Sequence, residues 1–153
     1  MLTLTIEVVG LPAPKGSSRA MMRGGFAVNV PSGSNVARDK LRGWNAEVIH
    51  QATQAMGGAP PVAGAALGMD IAFRFARPKG HFGKSGVKAA APKQHAVKPD
   101  LDKLIRSTWD AMAGIVYDDD SRIAEVTASK VYCDPGQSPG ATITVRFPAP
   151  EGG

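Results

Sequence analysis

The sequence predicts an α/β fold of the α+β kind: one domain in which a small mixed β-sheet carries two main helices. Three observations point there. Both ends of the chain alternate apolar and polar residues, as Leu2, Leu4, Ile6 and Val8 against Thr3, Thr5 and Glu7, and again in ATITVRF over 141–147. Two inner stretches instead repeat apolar residues every three or four positions. A length of 153 residues with no internal repeat suits a single core.

Period-two alternation makes residues 2–9 a half-buried strand, which Pro12, Pro14 and Gly16 end. Residues 15–35 are loop-like, with a short strand at 26–30, and carry Lys15, Arg19 and Arg23. Ser34 and Asn35 are both good N-caps for a first helix. Its apolar face is Leu41, Trp44, Val48, Ala52 and Met56, and Gly57–Gly58 stop it. Residues 62–76 read as a second long strand, with Leu67, Met69, Ile71, Phe73 and Phe75 on one face. A second helix spans about 101–113, with Leu101, Leu104, Ile105, Thr108, Trp109 and Met112 as its stripe and Gly114 closing it. Strands at 122–133 and 141–147 follow, and 148–153 is a frayed tail.

Between the second strand and the second helix lies RPKGHFGKSGVKAAAPKQHAVKP, residues 77–99. It holds six Lys and Arg, no acidic residue, and neither helical nor strand periodicity. It is expected to be a flexible basic loop, of a length that is usually functional or disordered. Its other reading is a solvated surface loop. The net charge of +5 suits a polyanionic partner without identifying one.

Several classes are set aside. One cysteine, Cys133, allows no intramolecular disulfide. His50, His81 and His95 are scattered, so no zinc pattern exists. No apolar run approaches the roughly 20 residues of a membrane span. The N-terminus lacks a basic lead and reads as a strand rather than a signal peptide. A cytoplasmic location is expected.

The chemistry is expected where acidic residues gather. Asp100 and Asp102 flank Leu101 at the start of the second helix. At a strand-to-helix junction the first residue is not yet helical, so both carboxylates can face one space. An aspartate there can equally cap the helix and meet its dipole. Asp118, Asp119 and Asp120 form a second cluster. Three like charges in a row are either solvated in a turn or neutralised by a divalent cation, and Mg²⁺ prefers such hard oxygens. About 1.5 Å of rise per residue separates the two ends of the helix by nearly 20 Å. The acidic turn would have to come back along the helix to meet Asp100. Arg106 lies four residues after Asp102, either as an ordinary ion pair or as a cation for phosphate.

Residues 98–123, KPDLDKLIRSTWDAMAGIVYDDDSRI, resemble the signature of the RusA family of Holliday-junction resolvases. The matching features are Asp100 and Asp102, a basic residue at 106, Asp110–Ala111, Gly114, and Asp119–Asp120 before a small residue and an apolar strand. Residues 12–16, the Gly/Lys-rich segment 79–98 and Lys130 extend the likeness. The resemblance implies a homodimeric, magnesium-dependent endonuclease that nicks opposing strands of four-way DNA junctions in recombination and repair. It implies Asp100, Asp102 and Asp120 as catalytic, metal-binding carboxylates, with Asp119 as the neighbouring candidate ligand. Mn²⁺ is expected to substitute. Arg106 replaces the lysine of the best-known pattern, which keeps the charge but not the ability to transfer a proton. Lys15, Arg19, Arg23, Lys79, Lys84, Lys88, Lys93, Lys98, Lys103 and Lys130 are the expected DNA contacts. A nuclease for forks or flaps, and a non-catalytic branched-DNA binder, are the competing classes.

Overall fold

The alternating segments form one sheet and the helical ones lie across it. A computed structural model describes residues 2–16, 18–23, 25–31 and 35–148, and over 18–23 and 26–31 the backbone alone. Strands β1 (Leu2–Val9), β4 (Leu67–Phe75), β7 (Ile123–Tyr132) and β8 (Gly140–Phe147) make a four-stranded sheet in the order β1-β8-β4-β7. β8 pairs antiparallel with both β1 and β4, whereas β4 and β7 run parallel. A parallel pair needs a long crossover, and helix α2 (Leu101–Met112) supplies it.

One sheet face is apolar. Ile6 and Val8 of β1, Leu67, Met69, Ile71 and Phe73 of β4, and Ala141, Ile143 and Val145 of β8 are all buried there. Helix α1 (Asn35–Met56) brings Trp44, Val48 and Ala52 to this core, with Leu41 and Met56 at its margin. α2 brings Leu104, Thr108, Ala111 and Met112. Trp44 joins the layers: its ring lies 6.4 Å from that of Phe73, and its Nε1 donates to Thr108 Oγ1 at 3.2 Å. The hydroxyl of Thr108 thus satisfies an indole donor that burial would otherwise leave unpaired.

The opposite face is polar and holds itself together by cross-strand charges. Buried Arg74 donates to Thr142 Oγ1 at 2.7 Å and reaches Glu7 at 3.4 Å. Arg146 lies across Gly68 and pairs with Asp70 and, at 3.9 Å, with Glu125.

The structure departs from expectation in three places. Residues 15–35 were expected to be mainly loop, but β2 (Ser18–Arg23) and β3 (Phe26–Pro31) form an antiparallel hairpin turning at Gly25, whose φ is 81°. Ser34 lies outside the described residues. The second long strand begins at Leu67 rather than 62, because Val62 instead bridges Tyr117. The basic segment 77–99 has local structure: a 3₁₀ turn at Lys79–His81 and a small hairpin of β5 (Phe82–Gly83) with β6 (Gly86–Val87). The expected tail lies outside the described residues from 149 onward.

Gly140 opens β8 at φ 157°, where a Cβ would stand 1.9 Å from the carbonyl oxygen of Val8. Replacing it forces β1 and β8 apart. Gly140→Ala is expected to lower unfolding stability by about 1–3 kcal/mol in urea titration.

Candidate active site

The approach to α2 is fastened to β7. Backbone bonds run from His95 N to Lys130 O at 3.0 Å and from Tyr132 N to Lys93 O at 2.9 Å, around a bridge between Gln94 and Val131. Lys130 Nζ donates to Val97 O at 2.6 Å and Pro99 O at 2.8 Å. The ammonium therefore satisfies two carbonyls just before Asp100, across a cis Lys98–Pro99 peptide. Lys130, an expected DNA contact, has its side chain turned to the segment that delivers Asp100.

Asp100 occupies the N-cap position with extended φ and ψ, and its carbonyl accepts the first helical bond from Leu104 N. Its carboxylate makes no capping hydrogen bond. The ordinary reason for an aspartate here, satisfying orphan N–H groups, is thus not realised. The side chain is 43% exposed and meets two ammonium groups, Lys98 at 3.6 Å and Lys103 at 3.8 Å. Asp102 follows in the first turn, exposed. It makes no ion pair with Arg106, one turn on and also exposed, so that pairing is absent.

The acidic triplet divides by task. Asp118 takes a two-pronged contact from Arg122, Nε at 2.9 Å and Nη2 at 3.0 Å, and that guanidinium holds its carboxyl below the usual range. Asp119 caps the short 3₁₀ turn Asp120–Arg122 by accepting from Ser121 N at 2.8 Å, and that hydrogen bond likewise holds its carboxyl below the usual range. Asp120 makes no ion pair among the described residues. It lies close enough to Tyr117 to disfavour the phenolate, as does Asp110, although burial is the larger cause of that upward shift. Tyr117 in turn donates to Trp109 O at 2.7 Å.

These contacts place the triplet at the C-terminal end of α2. The expected return of the acidic turn toward Asp100 does not occur within the chain. β7 runs back along the helix only after Asp120, and its far end, at Lys130, is what touches Pro99. Ten helical residues from Asp100 to Asp110 span about 15 Å. Among the described residues no group of three or more His, Cys, Asp or Glu side chains stands close enough to hold a metal ion. Asp100 and Asp102 offer hard oxygen donors at one end, and Asp120 a third at the other.

The cations are also divided. Lys79, Lys84, Lys88, Lys93 and Lys98 are exposed on the acid-free segment that leads to Asp100. Lys15 is instead bound to Asp110 at 2.6 Å, at the opposite end of α2 from Asp100. The side chains of Arg19 and Arg23 lie outside those described.

His95, one of three scattered histidines in the sequence, has a defined place in the fold. Its ring is buried, stacked 4.1 Å from Phe75 and edge-on to Tyr132 at 5.1 Å, with Nδ1 lacking a hydrogen-bond partner among the described residues. Its signal was faint: an aromatic at 75, on the strand face otherwise read as core.

A family model described as endodeoxyribonuclease RusA matches residues 12–146. No match is found among curated proteins.

Two outcomes follow from this geometry. Lys130→Met should raise amide hydrogen exchange over residues 95–98 while lowering global stability by only about 1.5 kcal/mol. Burial first, and then the Lys130 ammonium, push the His95 imidazole below its usual range. The unfolded chain then takes up a proton near pH 6.5 that the folded one resists, so stability is full above about that pH and falls as the pH drops toward the folded value. His95→Gln should flatten that slope in urea titrations between about pH 7 and 5.

Proposed function

Because the chain belongs to the RusA family of endodeoxyribonucleases, we propose that it is a magnesium-dependent nuclease that nicks four-way DNA junctions as a homodimer. The observation carrying this reading is the Asp100–Asp102 pair. One of these carboxylates sits at a helix start without capping it, and both adjoin a segment of exposed lysines. Acidic groups facing a polyanion weaken binding unless a cation lies between them. Mg²⁺ is held by one or two carboxylates with waters and phosphate oxygens, which suits this pair. Bound there, it would supply a water of lowered pKa and charge neutralisation at the phosphate.

The chain's own residues would position the strand. Lys98 and Lys103 are already drawn to Asp100 and can turn to a phosphate. Arg106 holds a fixed cation one turn further along and cannot act as a proton donor or acceptor. Lys79, Lys84, Lys88 and Lys93 would track the backbone, giving affinity that falls with salt rather than base readout.

Asp120 would complete the site from the other subunit. Among the described residues β7 is an edge strand whose outer side is bridged only at its end, by residues 93–95. Val126 on that strand is 41% exposed, and Val97 beyond its end is 60% exposed. An open edge with exposed apolar residues invites pairing with another strand. Antiparallel pairing of two β7 edges about a two-fold axis sets the start of one strand against the end of the other. Asp120 of the partner subunit would then approach the segment that precedes Asp100.

Asp102→Asn should retain junction binding and lose cleavage; full cleavage by that variant would overturn the nuclease reading. Subunit mixing tests the shared site. Asp102→Asn and Asp120→Asn homodimers should each be inactive. Mixed in equal amounts, they should recover single-strand nicking at roughly a quarter of the wild-type rate, since half the dimers are hybrids with one intact site each. No recovery would place all three carboxylates' action within one chain. Chelation should abolish cutting and Mn²⁺ should restore it, and comparison with forks and continuous duplex tests the junction preference.

A further inference from the structure

Beside the hairpin β5–β6 lies a cavity of about 380 Å³, with Arg77, Phe82, Val87, Cys133, Asp134 and Gln137 among its lining. Its volume is at the lower end for small-molecule pockets, about 300–1,000 Å³. It sits at the C-terminal ends of β4 and β7, where Cys133 N bonds to Phe75 O. That is the end of the sheet from which the segment leading to Asp100 departs. We propose that this cavity receives a single unpaired nucleobase of the bound DNA strand. The inference rests on the nuclease reading above and adds to it a site for a base extruded at the branch.

The lining suits a flat, neutral ring with polar edges. Phe82 is 47% exposed at the rim, because a hairpin of two residues per strand is too small to bury it. An exposed aromatic ring offers a stacking face that every nucleobase can use. Val87, paired with Phe82 across the hairpin, adds an apolar wall. Burial pushes the Cys133 thiol up, so this part of the wall is uncharged.

Polar groups stand around that apolar interior. The Arg77 guanidinium lies 5.3 Å from the centroid of Tyr132, with Nη1 bonded to Pro92 O at 2.7 Å. Its Nε is buried and has no hydrogen-bond partner among the described residues. In the turn opposite, Gln137 Oε1 accepts from Asp134 N at 3.0 Å. The Asp134 carboxylate makes no ion pair among the described residues and can accept from a base N–H. Exposed Lys79, Lys84 and Lys88 lie close in sequence to Phe82 and Val87 on a segment without acidic residues, which suits the phosphates on either side of an inserted base.

The experiment uses the full-length protein without divalent metal. Binding is measured to a duplex carrying one extruded thymine, to the same duplex with an abasic spacer there, and to a continuous duplex. The wild type should prefer the extruded thymine, and the abasic spacer should remove that preference. Phe82→Ala should lose about tenfold toward the extruded base, with affinity for continuous duplex and thermal stability unchanged. Phe82→Trp should keep the preference, and its added indole fluorescence should be quenched by a short oligothymidine. Equal binding of all three DNAs by the wild type, or an unchanged preference in Phe82→Ala, overturns the base pocket. If the wild type still cleaves junctions with Mg²⁺ in that case, the nuclease reading stands alone. If it neither binds nor cleaves DNA, both fall.

Discussion

A parallel strand pair cannot be closed by a tight turn, and much of this molecule's arrangement follows from that constraint. β4 and β7 lie side by side in the same direction, so the chain must travel the full length of the sheet between them. It does so through α2, which starts at the C-terminal end of the two strands and finishes at the N-terminal end of β7. Each acidic cluster sits at one terminus of this crossover. The same helix that gives Asp100 its place by the basic segment therefore carries the chain away from it before Asp120 is reached.

The tether on β7 fixes the approach in detail. Without a partner strand, the outer edge of Lys130–Tyr132 would leave backbone groups open; residues 93–95 take them up. Lys130 then binds two carbonyls of the following residues rather than leaving its charge to solvent. Phe75, His95 and Tyr132 pack ring on ring behind this edge. A segment whose composition suggests only solvation is thus anchored at one end by a strand bridge, a charge and an aromatic stack.

The sheet and both helices were legible because burial on one face imposes a period, two for strands and near 3.6 for helices. Trp44, Val48 and Ala52, or Met69, Ile71 and Phe73, announce their faces without tertiary information. Of the hairpin β2–β3 only the second strand was legible, at 26–30, and the small turns in 77–99 were not, since β2 and those turns follow no such period in the sequence. At the site, the pair at the start of α2 could be read from its position. What could not be read was which cluster members are already engaged. Arg122 and Ser121 N occupy Asp118 and Asp119, and those contacts depend on the turn's geometry rather than on residue type. Strand direction was equally hidden: nothing in residues 122–133 states whether they pair parallel or antiparallel with β4.

The separation of Asp100 from Asp120 along one helix has a kinetic meaning under the shared-site proposal. A solitary subunit would hold two incomplete half-sites and could not injure DNA that it met by chance. Cutting would become second order in protein wherever dimers are scarce, so its rate would rise with the square of subunit concentration. Expression level would then act as a threshold, and the crossover that stabilises the sheet would also serve as a safeguard for the genome around it.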